Sequence, residues 1–222
     1  MTPRAEILAR LADRLCGRPA QPVRRVAVDG VDGAGKTTFA DELAVTLGQR
    51  GRRVLRASAD GFHHPRDVRY RRGRSSFEGF YRDSYDLAAM RRELLDPLGP
   101  GGSLLYRTAT FDVQRDEPVW PPYQQARPGD LLIVDGLFLH RPELQPIWDD
   151  SVFLAVPIEV SVPRGAARGP GYGSPDPLVE SNQRYIEGQR LYFHEATPER
   201  HAGVVIDHTD LMCPVVLHWR ER

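Results

Sequence analysis

Residues 30–37 read Gly-Val-Asp-Gly-Ala-Gly-Lys-Thr, and few folds accommodate such a run. The pattern G-x-x-x-x-G-K-[ST] works only with a strand behind it and a helix in front. The chain supplies both: the apolar run Val26, Ala27, Val28 precedes it, and Phe39, Leu43 and Leu47 follow at helical spacing. A glycine-rich turn between a strand end and a helix start aims several backbone N–H groups at one point, with the positive end of the helix dipole behind them. Such a point binds polyphosphate. Gly30, Gly33 and Gly35 let the backbone approach phosphate oxygens closely, and Asp32, Ala34 and Thr38 complete the nucleotide-binding stretch. Lys36 reaches the β- and γ-phosphates, and the Thr37 hydroxyl is a Mg²⁺ ligand.

Composition sharpens this reading. Of 30 basic residues, Lys36 is the only lysine and every other is Arg. A chain that keeps one compact ammonium there points to a position where the planar guanidinium fork does not fit.

At 222 residues the expectation is one domain over 1–222, with a small lid. A formal net charge of zero gives no pull toward nucleic acid or a membrane and says little else about partners; the small-molecule partner bearing a hydroxyl is expected from the phosphate-loop chemistry. An oligomer is compatible with this. Cys16 and Cys213 are far apart and in no metal-binding or redox spacing, which favours a reduced, cytoplasmic setting. Charges at Arg4, Glu6, Arg10, Asp13 and Arg14 exclude a signal-peptide core, and no apolar run approaches membrane-spanning length.

Ile7, Leu8, Leu11 and Leu15 predict a first amphipathic helix, ended by Gly17, Pro19 and Pro22. Residues 54–57 read as the second strand, running into Ser58-Ala59-Asp60-Gly61-Phe62-His63-His64-Pro65. Residues 60–84 read as a long substrate loop, because structureless stretches of that length in compact domains tend to be functional. Residues 84–96 read as a helix, 104–113 as an extended segment or hairpin arm, and 118–128 as loop. Leu131 to Val134 suits a strand buried on both faces and ends in Asp135-Gly136. A strand at 152–156, a helix start at 158–168 carrying Arg164 and Arg168, a Gly/Pro-rich lid tip at 169–177, a helix near 178–195 and a last strand at 204–206 complete the pass. Alternating strands and helices predict an α/β fold, a doubly wound and mainly parallel sheet, with the lid at about 164–177.

Ligands of such sheets bind beyond the carboxyl ends of the strands, where Asp60 and Asp135 both fall. Phosphoryl transfer needs the donor held, its charge neutralised and the acceptor's proton removed. Lys36 and the loop hold ATP. Thr37, Asp135 and Asp60 are the candidate Mg²⁺ ligands, hard oxygens for a hard cation. Asp60 is the candidate base, and Arg164 and Arg168 the lid arginines that meet developing charge. The seven histidines form no metal spacing, and only His63 adjoins the proposed site.

With these residues in place, the chain resembles the uridine kinase, phosphoribulokinase and bacterial-type pantothenate kinase group of P-loop kinases from about Val26 to Leu211. The resemblance rests on Gly30 to Thr38, the D-x-F-[HY] element Asp60-Gly61-Phe62-His63, Ser84-Tyr85-Asp86, Tyr106 to Asp112, and the strand ending Asp135-Gly136. It implies Asp60 as base toward the acceptor hydroxyl, an acid at Asp135 helping to hold Mg²⁺, and arginines at Arg164 and Arg168 reaching the phosphates. Asp207-His208-Thr209-Asp210 would lie near the adenine. His63, Asp83, Tyr85, Tyr106 and Arg168 are the candidate acceptor contacts. The uridine kinase F-D-H-P is replaced by Phe80-Tyr81-Arg82, with Asp83 nearby, whereas Asp60-Gly61-Phe62-His63-His64-Pro65, Arg72-Gly73 and Ser84-Tyr85-Asp86 resemble the pantothenate kinase pattern. Length favours the uridine kinase-like branch. The expected function is ATP-dependent phosphorylation of a primary hydroxyl, on uridine or a related nucleoside first and on pantothenate or a sugar-like acceptor second. A guanine-reading N-K-x-D is ruled out, since the one lysine is in the loop. A non-transferring ATPase and a binding protein are the rival classes.

Overall fold

The computed structural model describes residues 2–18, 21–169 and 173–220. Six strands form the central sheet: β1 Val23–Gly30, β2 Val54–Ser58, β3 Asp130–Asp135, β4 Asp150–Ala155, β5 Val204–Asp207 and β6 Val215–Trp219. Their order is β6-β5-β4-β1-β3-β2, with the first five strands parallel and β6 antiparallel to β5. The register sets the carboxyl ends level: Val28 pairs with Asp135, Asp135 with Ser58, and Gly30 with Leu154.

Period-two alternation sends neighbouring residues of each strand to opposite faces. Val26 and Val28 therefore pack with Leu131, Ile133, Val152 and Leu154 beneath two helices, α1 Pro3–Cys16 and α2 Lys36–Gly48. Ala27, Leu132, Val134 and Phe153 face the other way, onto Tyr81, Met90, Leu94, Phe138 and Tyr192. These come from α3 Phe77–Asp83, from α4 Leu87–Met90 and the turn Arg91–Leu95 after it, from the loop after β3, and from α6 Glu180–Ala196, while α5 Ile158–Ala166 lies between β4 and α6 in the chain. Both faces are covered, which is why the central strands read as continuous apolar runs. The sheet is mixed only at the β6 edge, in agreement with the doubly wound expectation.

Several segments differ from the sequence reading. The expected loop over 60–84 contains a helical turn, Arg66–Arg69, and α3. Ser76 caps α3 by accepting from the Gly79 N–H at 3.0 Å. The intervening turn is organised by Arg184, whose guanidinium donates to the carbonyls of Arg69, Gly73, Arg74 and Ser76, a tertiary contact from over a hundred residues away. The helix expected over 84–96 starts at α4, capped by Asp86, and passes into a π-helical turn at Arg91–Leu95. The stretch 104–125 closes into two small antiparallel ribbons, Leu105–Tyr106 with Gln124–Gln125 and Phe111–Asp112 with Glu117–Pro118. The chain adds β6 after the expected last strand. Its half-exposed residues alternate weakly, and a register shift between Val216 and His218 breaks the pattern further. The expected lid tip lies partly outside the described residues, at 170–172. No helix among the described residues is long and apolar enough to cross a membrane.

Leu43 is fully buried between α2 and the sheet. Leu43→Ala is expected to lower unfolding free energy by about 2–5 kcal/mol, read from the urea midpoint at an unchanged slope.

Candidate active site

The turn at the end of β1 has the shape its glycines demand. Gly33 and Gly35 sit at φ 74° and 84°, in the left-handed region that side chains resist. A Cβ on Gly33 would come within 2.1 Å of the Ser161 carbonyl oxygen, so α5 packs directly on the loop backbone. α2 begins at Lys36 with Gly35 as its cap residue and no side-chain capping bond, which leaves its first amides for a ligand. The uncapped amides at the start of α2 fit a polyphosphate, and the loop glycines let Leu154, Ser161 and His208 close against its backbone.

Lys36 is buried, and its ammonium donates to the Val31 carbonyl at 2.7 Å. Burial pulls its pKa below the ordinary 10.5, opposed by the fields of Asp32, Asp29 and Asp60. Those fields show that Lys36, Asp32 and Asp60 share one electrostatic neighbourhood, and Arg168 joins it with an opposing effect. The Arg168 guanidinium approaches the Asp32 carboxylate at 3.4 Å.

Thr37 and Asp135 meet across strands: the hydroxyl donates to Asp135 Oδ2 at 2.7 Å, while Arg56 holds Oδ1 at 2.9 Å. Both line a cavity of about 300 Å³ whose remaining walls include Ser58 and Gly61, the residues around Asp60. Among the described residues no three His, Cys, Asp or Glu side chains are grouped as a complete metal cage. One hydroxyl and one carboxylate nonetheless suit Mg²⁺, which keeps waters and takes further ligands from bound phosphates.

Asp60 is exposed at the carboxyl end of β2, in the 3₁₀ turn Ala59–Phe62. Tyr85 donates its hydroxyl to Asp60 Oδ1 at 3.0 Å. Burial, then the Asp60 charge, pushes the Tyr85 phenol well above its usual range, so it stays protonated and remains a donor. His63 donates from Nδ1 to the Asp60 carbonyl at 3.0 Å and packs against Tyr85 in a tilted contact, 4.6 Å between ring centroids.

Three predicted residues lie elsewhere. Asp83 is buried and clamped by Arg71 and by Arg72, the latter at 2.8 Å. Tyr106 is buried, with its hydroxyl on Gln124 at 3.1 Å. Arg164 donates to the carbonyls of His208 and Thr209, which places it on the segment after β5 instead of over the loop's open side. That segment does touch the phosphate loop, since the fully buried His208 donates from Nδ1 to the Ala34 carbonyl at 2.7 Å and meets Arg4 at Nε2, 2.6 Å away.

Sequence reasoning missed Asp29, Arg56, Gln189 and Tyr192, and it named His208 only within the segment expected near the adenine. Asp29 carried a signal, as a carboxylate inside an apolar strand directly before Gly30. The others carried none, because their partners are far away in the chain.

The buried ammonium yields a prediction. Below pH 10.5 the unfolded chain holds this proton more tightly than the folded one, so stability rises with pH between the lowered folded pKa and 10.5. Lys36→Met is therefore expected to raise the melting midpoint of the ligand-free protein by about 2 °C or more near pH 7 and to flatten that rise, as followed by circular dichroism.

No family model matches the chain. Thymidylate kinases from strains of Xanthomonas campestris pv. campestris are 34% identical over 128 residues, covering 56% of this chain and 55% of theirs, so the match spans about half the length of these curated relatives. Among solved structures, a possible uridine kinase from Bacillus stearothermophilus superposes at a TM-score of 0.73 with 21% identity, over 90% of this chain and 97% of that one. A proposed fructose transport system kinase from Silicibacter sp. TM1040 gives 0.68 with 25% identity over 85% and 95%. Phosphoribulokinase from Rhodobacter spheroides gives 0.57 with 14% identity over 83% and 70%. The chain therefore shares its fold, a mostly parallel sheet covered by helices on both faces, with these kinase structures.

Proposed function

We propose that this protein is an ATP-dependent kinase that transfers the γ-phosphate to a primary hydroxyl of a small molecule. The observation that carries the reading is the placement of Lys36 and Asp60 in one electrostatic neighbourhood, with the Thr37–Asp135 pair on the adjoining wall. The phosphate loop and Lys36 hold the donor. Mg²⁺, held by Thr37 and Asp135 with Asp60 as a further candidate, would neutralise phosphate charge.

Tyr85 occupies one Asp60 oxygen and orients the carboxylate, which leaves the other for an acceptor. The acceptor hydroxyl gives its proton to Asp60 as its oxygen bonds to the γ-phosphorus, and the bond from that phosphorus to the bridging oxygen breaks, releasing ADP. Arg168 stands near Asp32 to meet charge on the transferring group, and His63 lines the approach to Asp60. Arg164 would act on the donor side, through the His208–Thr209 backbone.

A nucleoside such as uridine is the first acceptor in this reading. The second, pantothenate or a sugar-type compound, is favoured by one observation: Asp83, the carboxylate nearest to the expected ribose-binding position, is already committed to Arg71 and Arg72. Incubating the protein with γ-labelled ATP and a panel of nucleosides, pantothenate and sugars should label one class, and turnover of ATP with no labelled acceptor would favour a plain ATPase. Asp60→Asn is expected to bind ATP normally and lose about 10²–10⁴-fold in transfer rate; transfer at the parent rate would place the base elsewhere.

A further inference from the structure

Helix α6 touches the phosphate loop at two points that no motif encodes. Gln189 is buried and accepts the Asp32 N–H at Oε1, 2.7 Å away. Its Nε2 donates to the Tyr185 carbonyl at 3.1 Å, so both ends of the amide are fixed. Tyr192 lies three residues on, hence on the same face of the helix. Its hydroxyl donates to Asp29 Oδ2 and accepts the His140 N–H at 3.1 Å. Asp29 is wholly buried; its other oxygen accepts the Gly30 N–H at 2.7 Å, and His140 Nδ1 lies 2.7 Å from Oδ2.

The two contacts bracket Gly30 and Val31, where β1 gives way to the loop. Left-handed glycines make that turn intrinsically soft, since glycine loses more backbone freedom on ordering than any other residue. A loop whose amides must converge before a ligand arrives needs an external brace. We propose that Gln189, assisted by Tyr192, is the positioning residue of the phosphate loop: α6 holds the Asp32 peptide so that the amides after it converge on one point. α6 follows the lid segment in the chain, and Asn182, Tyr185, Ile186 and Gln189 also line a cavity of about 390 Å³ against Asp32 and α5. A displacement of α6 by whatever fills that cavity would reach the loop through Gln189 and Tyr192.

The inference rests on the reading of the loop as the ATP site, and its test separates the two. Gln189→Met keeps the length and removes the acceptor; Gln189→Glu keeps an acceptor oxygen; Tyr192→Phe removes only the hydroxyl. Hydrogen exchange of the Asp32 amide, measured without nucleotide, should speed up about tenfold in Gln189→Met and stay protected in Gln189→Glu. The ATP dissociation constant, measured without acceptor, should rise about five- to tenfold in Gln189→Met and about threefold in Tyr192→Phe. An unchanged Asp32 exchange rate in Gln189→Met, or loosening of all α6 amides with ATP affinity intact, would overturn the proposal. Should Gln189→Met fail to fold, Tyr192→Phe with parental ATP affinity would do the same. A parent chain that binds no ATP would sink the donor reading, while the exchange comparison would still decide the brace.

Discussion

Three adjacent parallel strands end level, and the rest of the structure depends on that register. Val28, Asp135 and Ser58 are neighbours across β1, β3 and β2, so the loop after β1, the carboxylate ending β3 and the turn after β2 open onto the same edge. Parallel pairing gives every strand its carboxyl end on that side, and the helices that return the chain lie on the faces, where they cannot obstruct it. The Thr37–Asp135 hydrogen bond and the common field of Lys36 and Asp60 both follow from this register.

The site carries buried charge that a purely structural design would avoid. Lys36 is desolvated, Asp29 is wholly enclosed, and Asp135 is buried between Thr37 and Arg56. Each is satisfied by specific partners: Lys36 by the Val31 carbonyl and nearby carboxylates, Asp29 by two N–H groups, an imidazole and a phenol. Unpaired, such groups would destabilise the fold by several kcal/mol, of order 3–5 for a broken buried pair. Paired, they hold a preformed anion cradle in which little remains to reorganise when a phosphate binds.

The C-terminal third of the chain does more than complete the sheet. α6 braces the phosphate loop from one side through Gln189 and Tyr192, and the segment after β5 supports it from the other through His208 on the Ala34 carbonyl. The soft glycine turn therefore owes its shape to residues more than 150 positions downstream.

The fold class, the loop and the two strand-tip carboxylates were legible in the sequence because their signals are local: glycine spacing, continuous apolar runs, and an acid where a run stops. Asp60, Lys36, Thr37 and Asp135 could be named from such signals, and the α/β alternation ordered them. Three things were settled only by tertiary contact. Arg164 turned to backbone carbonyls, Asp83 was taken up by two neighbouring arginines, and Arg184 folded the expected loop over 60–84 into helical pieces. Arginine's long, many-donor side chain accepts any of several partners at similar cost, so its neighbours in the sequence do not decide which it takes. The partner is chosen when distant elements pack, as it is for Gln189 and Tyr192, and no local pattern records that choice.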